Sequence, residues 1–352
     1  MIRVLGPFPP PYGGVALHCV RLVEALRNKG LIVCATSLGG VPSGIVGVSK
    51  WKPWMMLSRT PVHYHTDEGN HRWMRLFAWL WRLRNTPYIV TVHSFRDRSE
   101  FQDRKVLRQL SLAYARARAI IAISDEVADQ LTLKLGIDRS AITVIASNLP
   151  VSRWEHSSTM PDTIATEWRS ANVRIIANAG RIVSYKGEDL YGLDVLVKAF
   201  NAITDSDVGL CLVVGEVVDE SIFSSLVSLI GDDKRITLVQ EFPAPLTALV
   251  KHSHIVVRPT RTEGGPSLTL GEAIELGKWA IGSDAVPRPV GTVLFTNSVH
   301  KDLSRALLDS IANVRANRFP MPFLQSSDVL DQIINVYHRS GFVNTTHTPA
   351  EV

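Results

Sequence analysis

Arg258-Pro-Thr-Arg-Thr-Glu263-Gly264-Gly265-Pro266-Ser267-Leu268-Thr-Leu-Gly-Glu272, continuing as Ala-Ile-Glu-Leu-Gly277, joins a short apolar run to a helical one through a polar, glycine-rich turn. The apolar run, His254 to Val257, ends at Pro259, and the helical pattern opens at Pro266-Ser267. A strand–turn–helix unit of this kind turns unpaired backbone N–H groups outward, with the positive end of the helix dipole behind them. Two carboxylates, Glu263 before the turn and Glu272 inside the helix, bracket that anion-seeking surface. The combination suits a ligand with a phosphate in its middle and hydroxyl-bearing rings on either side, as in a nucleotide sugar.

Working outward, the same alternation recurs along the chain. Strand-like runs at Ile2–Leu5, Leu31–Thr36, Val62–His65, Tyr88–Val92, Ala119–Ile123 and Ile142–Ala146 are separated by helical patterns. A second series follows at Arg174–Ala179, Leu210–Val214, Ile236–Val239, Ile255–Arg258 and Trp279–Gly282. Strands alternating with helices predict parallel sheets, here two Rossmann-like doubly wound α/β domains, with ligands expected at the carboxyl ends of the strands in a cleft between them. The expected boundaries are residues 1–150 for the first domain, 151–172 for a polar linker and 173–325 for the second domain. A C-terminal helix over 326–340 is expected to pack back on the first domain, followed by a flexible tail, 341–352.

Composition narrows the class. The 352 residues are 45% hydrophobic and 20% charged, which is globular rather than disordered. A net charge of +5 suits phosphate-bearing substrates or an anionic surface and is far too small to argue for nucleic acid. Cys19, Cys34 and Cys211 lie in apolar runs without metal-ligand spacing, as thiols in a reducing compartment do. With a strand-like run at the very start and no bilayer-length apolar stretch, a cytoplasmic protein without a signal peptide is expected.

Two further places carry candidate chemistry. Gly180-Arg181-Ile-Val-Ser-Tyr-Lys186-Gly187 sits where the first strand of the second series ends. It offers a planar guanidinium and a point charge beside glycines that keep the approach open, a good arrangement for a diphosphate. Gly13-Gly14 joins the first strand to the first helix; it reads either as an ordinary βα turn or as a place where a ligand meets backbone.

Taken together, these pieces resemble the GT-B retaining glycosyltransferases of the large family-4 group, bacterial enzymes that often build surface polysaccharides. The matching segments are Gly6-Pro-Phe-Pro-Pro-Pro-Tyr-Gly-Gly14, Val90-Thr-Val-His93-Ser94, Ile121-Ala-Ile-Ser124-Asp125, Gly180-Arg181 through Lys186-Gly187, Leu212-Val-Val-Gly215 and Arg258 through Gly277. The resemblance implies that Arg181 and Lys186 hold the donor diphosphate and stabilise its charge as it leaves. It implies that Glu263 meets hydroxyls of the donor sugar and Glu272 the ribose, while amides from Gly264, Gly265, Pro266, Ser267 and Leu268 frame the phosphates, proline lending shape rather than a donor. His93 would reach the donor sugar from the first domain, and Gly13, Gly14 and Gly180 would let backbone close on the phosphates. Eight residues separate Glu263 from Glu272, one more than the family usually has, so either the turn carries an insertion or Gly264 stands at the usual carboxylate position. Ser147-Asn148-Leu149-Pro150 also replaces the family's customary Asn-Gly-x-Asp run.

Cleaving a glycosidic bond to a nucleoside diphosphate develops negative charge on the departing phosphate, which fixed cations and N–H dipoles stabilise most in the transition state. No Asp-x-Asp pair stands at a strand end, and Asp232-Asp233 lies in a polar turn. Metal-independent, cofactor-free chemistry is therefore expected, and the resemblance implies transfer with retention from a nucleotide-sugar donor to a glycan or polyprenyl-diphosphate-linked acceptor. His63-Tyr-His65, with Asp67 and Glu68 nearby, is explained by strand alternation rather than by a metal. The segment 71–84 is basic and aromatic; it reads as a crossover helix packed on the sheet or as a peripheral membrane contact. Rival readings are a GT-B epimerase or sugar-phosphate synthase and a catalytically silent partner of another transferase. A nicotinamide enzyme lacks its glycine fingerprint.

Overall fold

β-Branched runs buried on both faces become parallel strands, and the amphipathic segments between them become the helices that cover the sheets. In the computed structural model, the described residues are 1–10, 13–41, 45, 47–66, 71–95, 103–162, 164, 166–240, 245–263, 267–322 and 327–343. The chain divides into two units, Met1–Ser152 with Ser326–Val352, and Arg153–Gln325.

The first unit runs β1 (Ile2–Gly6), α1 (Gly14–Asn28), β2 (Val33–Ser37), β3 (Val48–Lys50), β4 (Val62–Thr66), α2 (His71–Arg84), β5 (Tyr88–Val92), α3 (Arg104–Ala115), β6 (Ala119–Ala122), α4 (Asp125–Leu135) and β7 (Ile142–Val144). Its seven strands form a parallel sheet ordered β3-β2-β1-β4-β5-β6-β7. Every residue of β4 and β5 is buried, including the polar His63, His65, Thr66 and Thr91. Helix ends follow local chemistry. Ser124 caps α4 by accepting from the Val127 amide at 3.3 Å, and Gly136 closes it at φ 65°. Met74, Phe77 and Trp81 of α2 pack on Tyr64 and Val90 in the core.

The second unit contains α5 (Arg153–Ser157), α6 (Thr166–Ser170), β8 (Val173–Ile182), β9 (Ser184–Tyr185), β10 (Glu188–Asp189), α7 (Leu193–Phe200), β11 (Val208–Val217), α8 (Glu220–Ile230), β12 (Ile236–Gln240), α9 (Thr247–Val250), β13 (Ile255–Arg258), α10 (Leu268–Glu275), β14 (Trp279–Ser283), β15 (Thr292–Phe295) and α11 (His300–Arg315). Six strands make a second parallel sheet, β12-β11-β8-β13-β14-β15, while β9 and β10 form a small antiparallel hairpin. The last helix, α12 (Ser327–Arg339), belongs to the first unit. There Tyr337 meets His63 Nδ1 at 2.7 Å, and Asp331 pairs with Lys29 at 3.1 Å.

Two doubly wound parallel units are the architecture the alternation predicts. The finer differences have physical causes. Residues 151–172, read as a linker, include α5 and α6, and Trp168 is fully buried, its indole N–H donating to the Ile175 carbonyl at 3.0 Å. One buried indole outweighs a polar composition. Strands β8 and β11 each run past their apolar stretch, to Ile182 and Val217, because pairing continues where the side chains turn polar. Edge strands β3 and β15, missed by pattern, are only partly buried. Part of the expected tail, 344–352, lies outside the described residues.

Close backbone approach holds the strand ends of the second unit together. A Cβ at Gly215 would lie 2.4 Å from the Gly180 carbonyl oxygen. Gly192, at φ 67° before α7, is tighter: a Cβ there would lie 2.1 Å from the Pro259 carbonyl oxygen. Gly192→Ala combines an unfavourable φ with a backbone clash. It is expected to cost on the order of 2–3 kcal/mol, read as a lowered urea midpoint; an unchanged midpoint contradicts the packing.

Candidate functional site

The carboxyl ends of β8 and β13 are neighbours, since Ile175 pairs beside Ile255 and Ala177 beside Val257. Past that point β8 carries Arg181, paired in register with Glu216 of β11. The hairpin that follows turns at Lys186 (φ 52°) and Gly187 (φ 85°), a two-residue loop with both residues left-handed, as the twist of a tight hairpin requires. Arg181 and Lys186 are exposed and form no ion pair among the described residues; Lys186 Nζ lies 5.3 Å from the centre of the Tyr185 ring.

At the end of β13 the charges are arranged differently. Arg258, packed 4.7 Å over the Tyr191 ring, reaches Glu263 Oε1 through Nε and Nη2 at 3.1 and 2.6 Å. Arg288 reaches the other carboxylate oxygen at 2.6 Å and Ser283 Oγ at 2.8 Å. Burial alone would push the Glu263 carboxyl up, but the two guanidiniums outweigh it and hold it below its usual 4.5. Arg261 is bound on both sides, by Glu188 at 3.0 Å and Asp194 at 2.9 Å, and so ties this loop to β10 and α7. Asp189 accepts from the Leu193 and Tyr191 amides at 2.7 and 3.0 Å, fixing the start of α7.

Helix α10 starts beside this cluster. Ser267 caps it by accepting from the Leu270 amide at 3.4 Å, Leu268 is its first residue, and Thr269 Oγ1 lies 3.3 Å from Asn178 Oδ1 of β8. Glu272 is buried inside the helix. The second unit therefore gathers Gly180, Arg181, Lys186, Glu263, Ser267, Leu268 and Glu272 around two adjacent strand ends. Gly264, Gly265 and Pro266 lie outside the described residues. The sequence reading missed Arg258, Arg288, Tyr191 and Arg261. Two of these stand within the quoted stretch as strand-end arginines, a usable signal; Arg288 is remote in sequence and follows no spacing rule.

Gly13, Gly14 and His93 belong to the first unit. Gly13 caps α1 in extended conformation (φ −83°), and a Cβ there would meet nothing within 4 Å. Neither its backbone nor its described neighbours require glycine at that position. His93 follows β5 and is buried with three other histidines. His65 Nδ1 lies 3.1 Å from His93 Nε2, His18 Nδ1 lies 3.1 Å from the Ser147 carbonyl, and His63 bridges Thr91 and Tyr337, both at 2.7 Å. Burial lowers all four imidazoles, His18 to about 4 and His63 to about 3, so they are neutral at physiological pH.

Residues 62–147 match the family model of Glycosyltransferase Family 4. No curated protein matches the chain in sequence. Among solved structures, Anabaena Alr3699/HepE in complex with UDP is 15% identical over 95% of this chain and 98% of its own, with a TM-score of 0.65. The catalytic domain of starch synthase IV from Arabidopsis thaliana, bound to ADP and acarbose, is 12% identical over 96% and 99%, with a TM-score of 0.68. WaaG, a glycosyltransferase involved in lipopolysaccharide biosynthesis, is 11% identical over 96% and 99%, with a TM-score of 0.58. The architecture is the GT-B fold, and the likeness to family 4 in sequence is confined to residues 62–147.

Glu263→Gln leaves two buried guanidiniums facing each other and is expected to cost about 3–5 kcal/mol at pH 7. Because the folded pKa of Glu263 is depressed, its contribution is complete above pH 4.5 and drains as pH falls through the folded value. Urea unfolding of both proteins across pH 3–7 should show the gap closing on the acid side; a pH-independent gap refutes the clamp.

Proposed function

We propose that this glycosyltransferase-type chain moves a sugar from a nucleotide-sugar donor to a glycan or polyprenyl-diphosphate-linked acceptor, with retention and without a metal at the diphosphate. The C1–O bond to the diphosphate breaks with its electron pair going to the departing oxygen. The acceptor hydroxyl oxygen forms the new bond on the same face, and its proton leaves to the diphosphate. The observation that carries this reading is the division of cations in the second unit. Arg258, Arg261 and Arg288 are each paired with carboxylates, whereas Arg181 at the end of β8 and Lys186 at the tip of the following hairpin carry no ion pair among the described residues. Cations left without a carboxylate at a strand end suit a diphosphate. Glu263, oriented by two arginines, keeps acceptor capacity on Oε2 for a sugar hydroxyl, and Glu272 is the ribose ligand in the same reading.

UDP, GDP, ADP and dTDP form the natural panel, since the fold neighbours were solved with UDP and ADP. One of them at a hundredfold its Kd should stabilise the protein by about 2.7 kcal/mol, raising the melting temperature. Arg181→Ala and Lys186→Ala should each weaken that ligand by roughly 10- to 100-fold. Variants responding like wild type overturn the phosphate assignment. Transfer should persist in EDTA and yield the donor's anomeric configuration; loss in EDTA with rescue by Mg2+ or Mn2+, or an inverted product, refutes that half.

The acceptor side of the proposal includes a membrane contact. No helix among the described residues is long and apolar enough to cross a membrane. Yet α2, whose Phe77 and Trp81 are buried as a crossover helix requires, leaves Trp79 56% and Leu83 62% exposed among Arg72, Arg82 and Arg84. Exposed aromatic and basic side chains on one helix suit an anionic lipid surface, each arginine adding about 1 kcal/mol there. The protein should sediment with anionic vesicles at low salt, less so as Trp79→Ser; no sedimentation at low salt removes the membrane from the proposal. A setting in bacterial surface polysaccharide assembly accords with that acceptor.

A further inference from the structure

We propose that His18, His65 and His93 of the first unit form a binding site for one borderline-soft divalent cation of the Zn2+ class. The three side chains come from α1, β4 and the end of β5, so a helix and two adjacent strands hold them. One ring nitrogen from each lies within 4.8 Å of the others, and all three residues are buried.

The hydrogen bonds decide which atoms are available. A carbonyl oxygen only accepts, so His18 Nδ1 must carry the proton it gives to Ser147. Nε2 of His18 is therefore a bare lone pair, buried and without a hydrogen-bond partner. His65 Nε2 is likewise buried and without a partner. Unsatisfied buried polar atoms are costly, and two in one cluster of imidazoles need an explanation. A shared cation supplies it. The donation from His18 to a backbone carbonyl is also the arrangement that fixes the tautomer and orientation of a ligating histidine.

The donor set selects the ion. Three neutral imidazoles and, among the described residues, no carboxylate favour Zn2+, with Co2+, Ni2+ or Cu2+ as chemical substitutes, and disfavour Mg2+, Mn2+ and Ca2+. Zn–N bonds of about 2.0–2.1 Å in a tetrahedral site put ligand nitrogens about 3.3 Å apart. His65 Nδ1 and His93 Nε2 share a 3.1 Å hydrogen bond, and drawing three ligand nitrogens now within 4.8 Å of one another to that spacing takes rotation of the His18 and His65 rings. Alternation along β4 explains why His63 and His65 share a face; it does not explain the third histidine brought over them by α1. The inference does not depend on the transferase reading.

The test reads metal rather than turnover. Full-length protein stripped with a chelator and dialysed should take up one Zn2+ per chain in isothermal titration calorimetry. His18→Ala, His65→Ala and His93→Ala should each weaken uptake at least about 100-fold. His63→Gln should keep one Zn2+ per chain, because His63 is already engaged by Thr91 and Tyr337. Circular dichroism checks that each variant folds. Where one does not, Co2+ added to the wild type decides: intense visible bands of a four-coordinate ion support the site, and the pale spectrum of hydrated Co2+ overturns it. Uptake below one per chain, or equal uptake by wild type and the three alanine variants, also overturns it and leaves a bound water or hydroxyl as the occupant.

Discussion

A carboxylate held between two arginines organises the second unit. Arg258 and Arg288 are almost wholly buried, and guanidiniums in that setting cost several kcal/mol each when uncompensated. Glu263 compensates both at once, with one oxygen toward each, and is thereby fixed in position just before the turn into α10. Arg258 extends the constraint by donating to the Asn178 carbonyl at 2.9 Å, so the ends of β8 and β13 and the start of the turn move as one piece. Rigidity of this kind is what preorganised electrostatic stabilisation needs, because donors that must reorient spend part of what they contribute.

The clamp also sorts the cations. Two arginines against one glutamate leave the cluster with a residual positive charge, and Arg261 is balanced separately by Glu188 and Asp194. What remains outward is Arg181 at the end of β8 and Lys186 at the hairpin tip. Lys186 adopts φ 52°, a conformation that costs a non-glycine residue on the order of 1 kcal/mol. Folding alone favours glycine or asparagine at that position. Keeping a lysine there makes sense where the ammonium itself has a partner to meet.

The alternation of apolar runs and helical patterns made the two-unit architecture legible, because strands buried on both faces announce themselves in composition. Arg181 at its strand end and the opening of a helix near Ser267 were legible for the same reason: each is local. What escaped is long-range. Arg288 reaches Glu263 across 25 residues of chain, and no spacing rule anticipates it. Trp168 draws a polar stretch into the core through one side chain. His18 joins His65 and His93 only because α1 crosses the sheet at that point, so the strand pattern around His63 and His65 shows half of a cluster. Sequence reports elements well and the meetings between elements poorly.

The two units differ in what their sites can do chemically. Around the strand ends of the second, charge is fixed and permanent: guanidiniums, carboxylates and a helix terminus, all insensitive to pH near neutrality. The buried histidines of the first are the opposite. Burial disfavours the imidazolium so strongly that His18 titrates near 4 and His63 near 3, and neither serves as a general acid at physiological pH. Neutral imidazoles in a dry setting have two useful properties left, a directed N–H and a directed lone pair. Where the N–H is spent on a carbonyl, as in His18, only the lone pair remains, and its natural occupants are a hydroxyl proton or a soft cation.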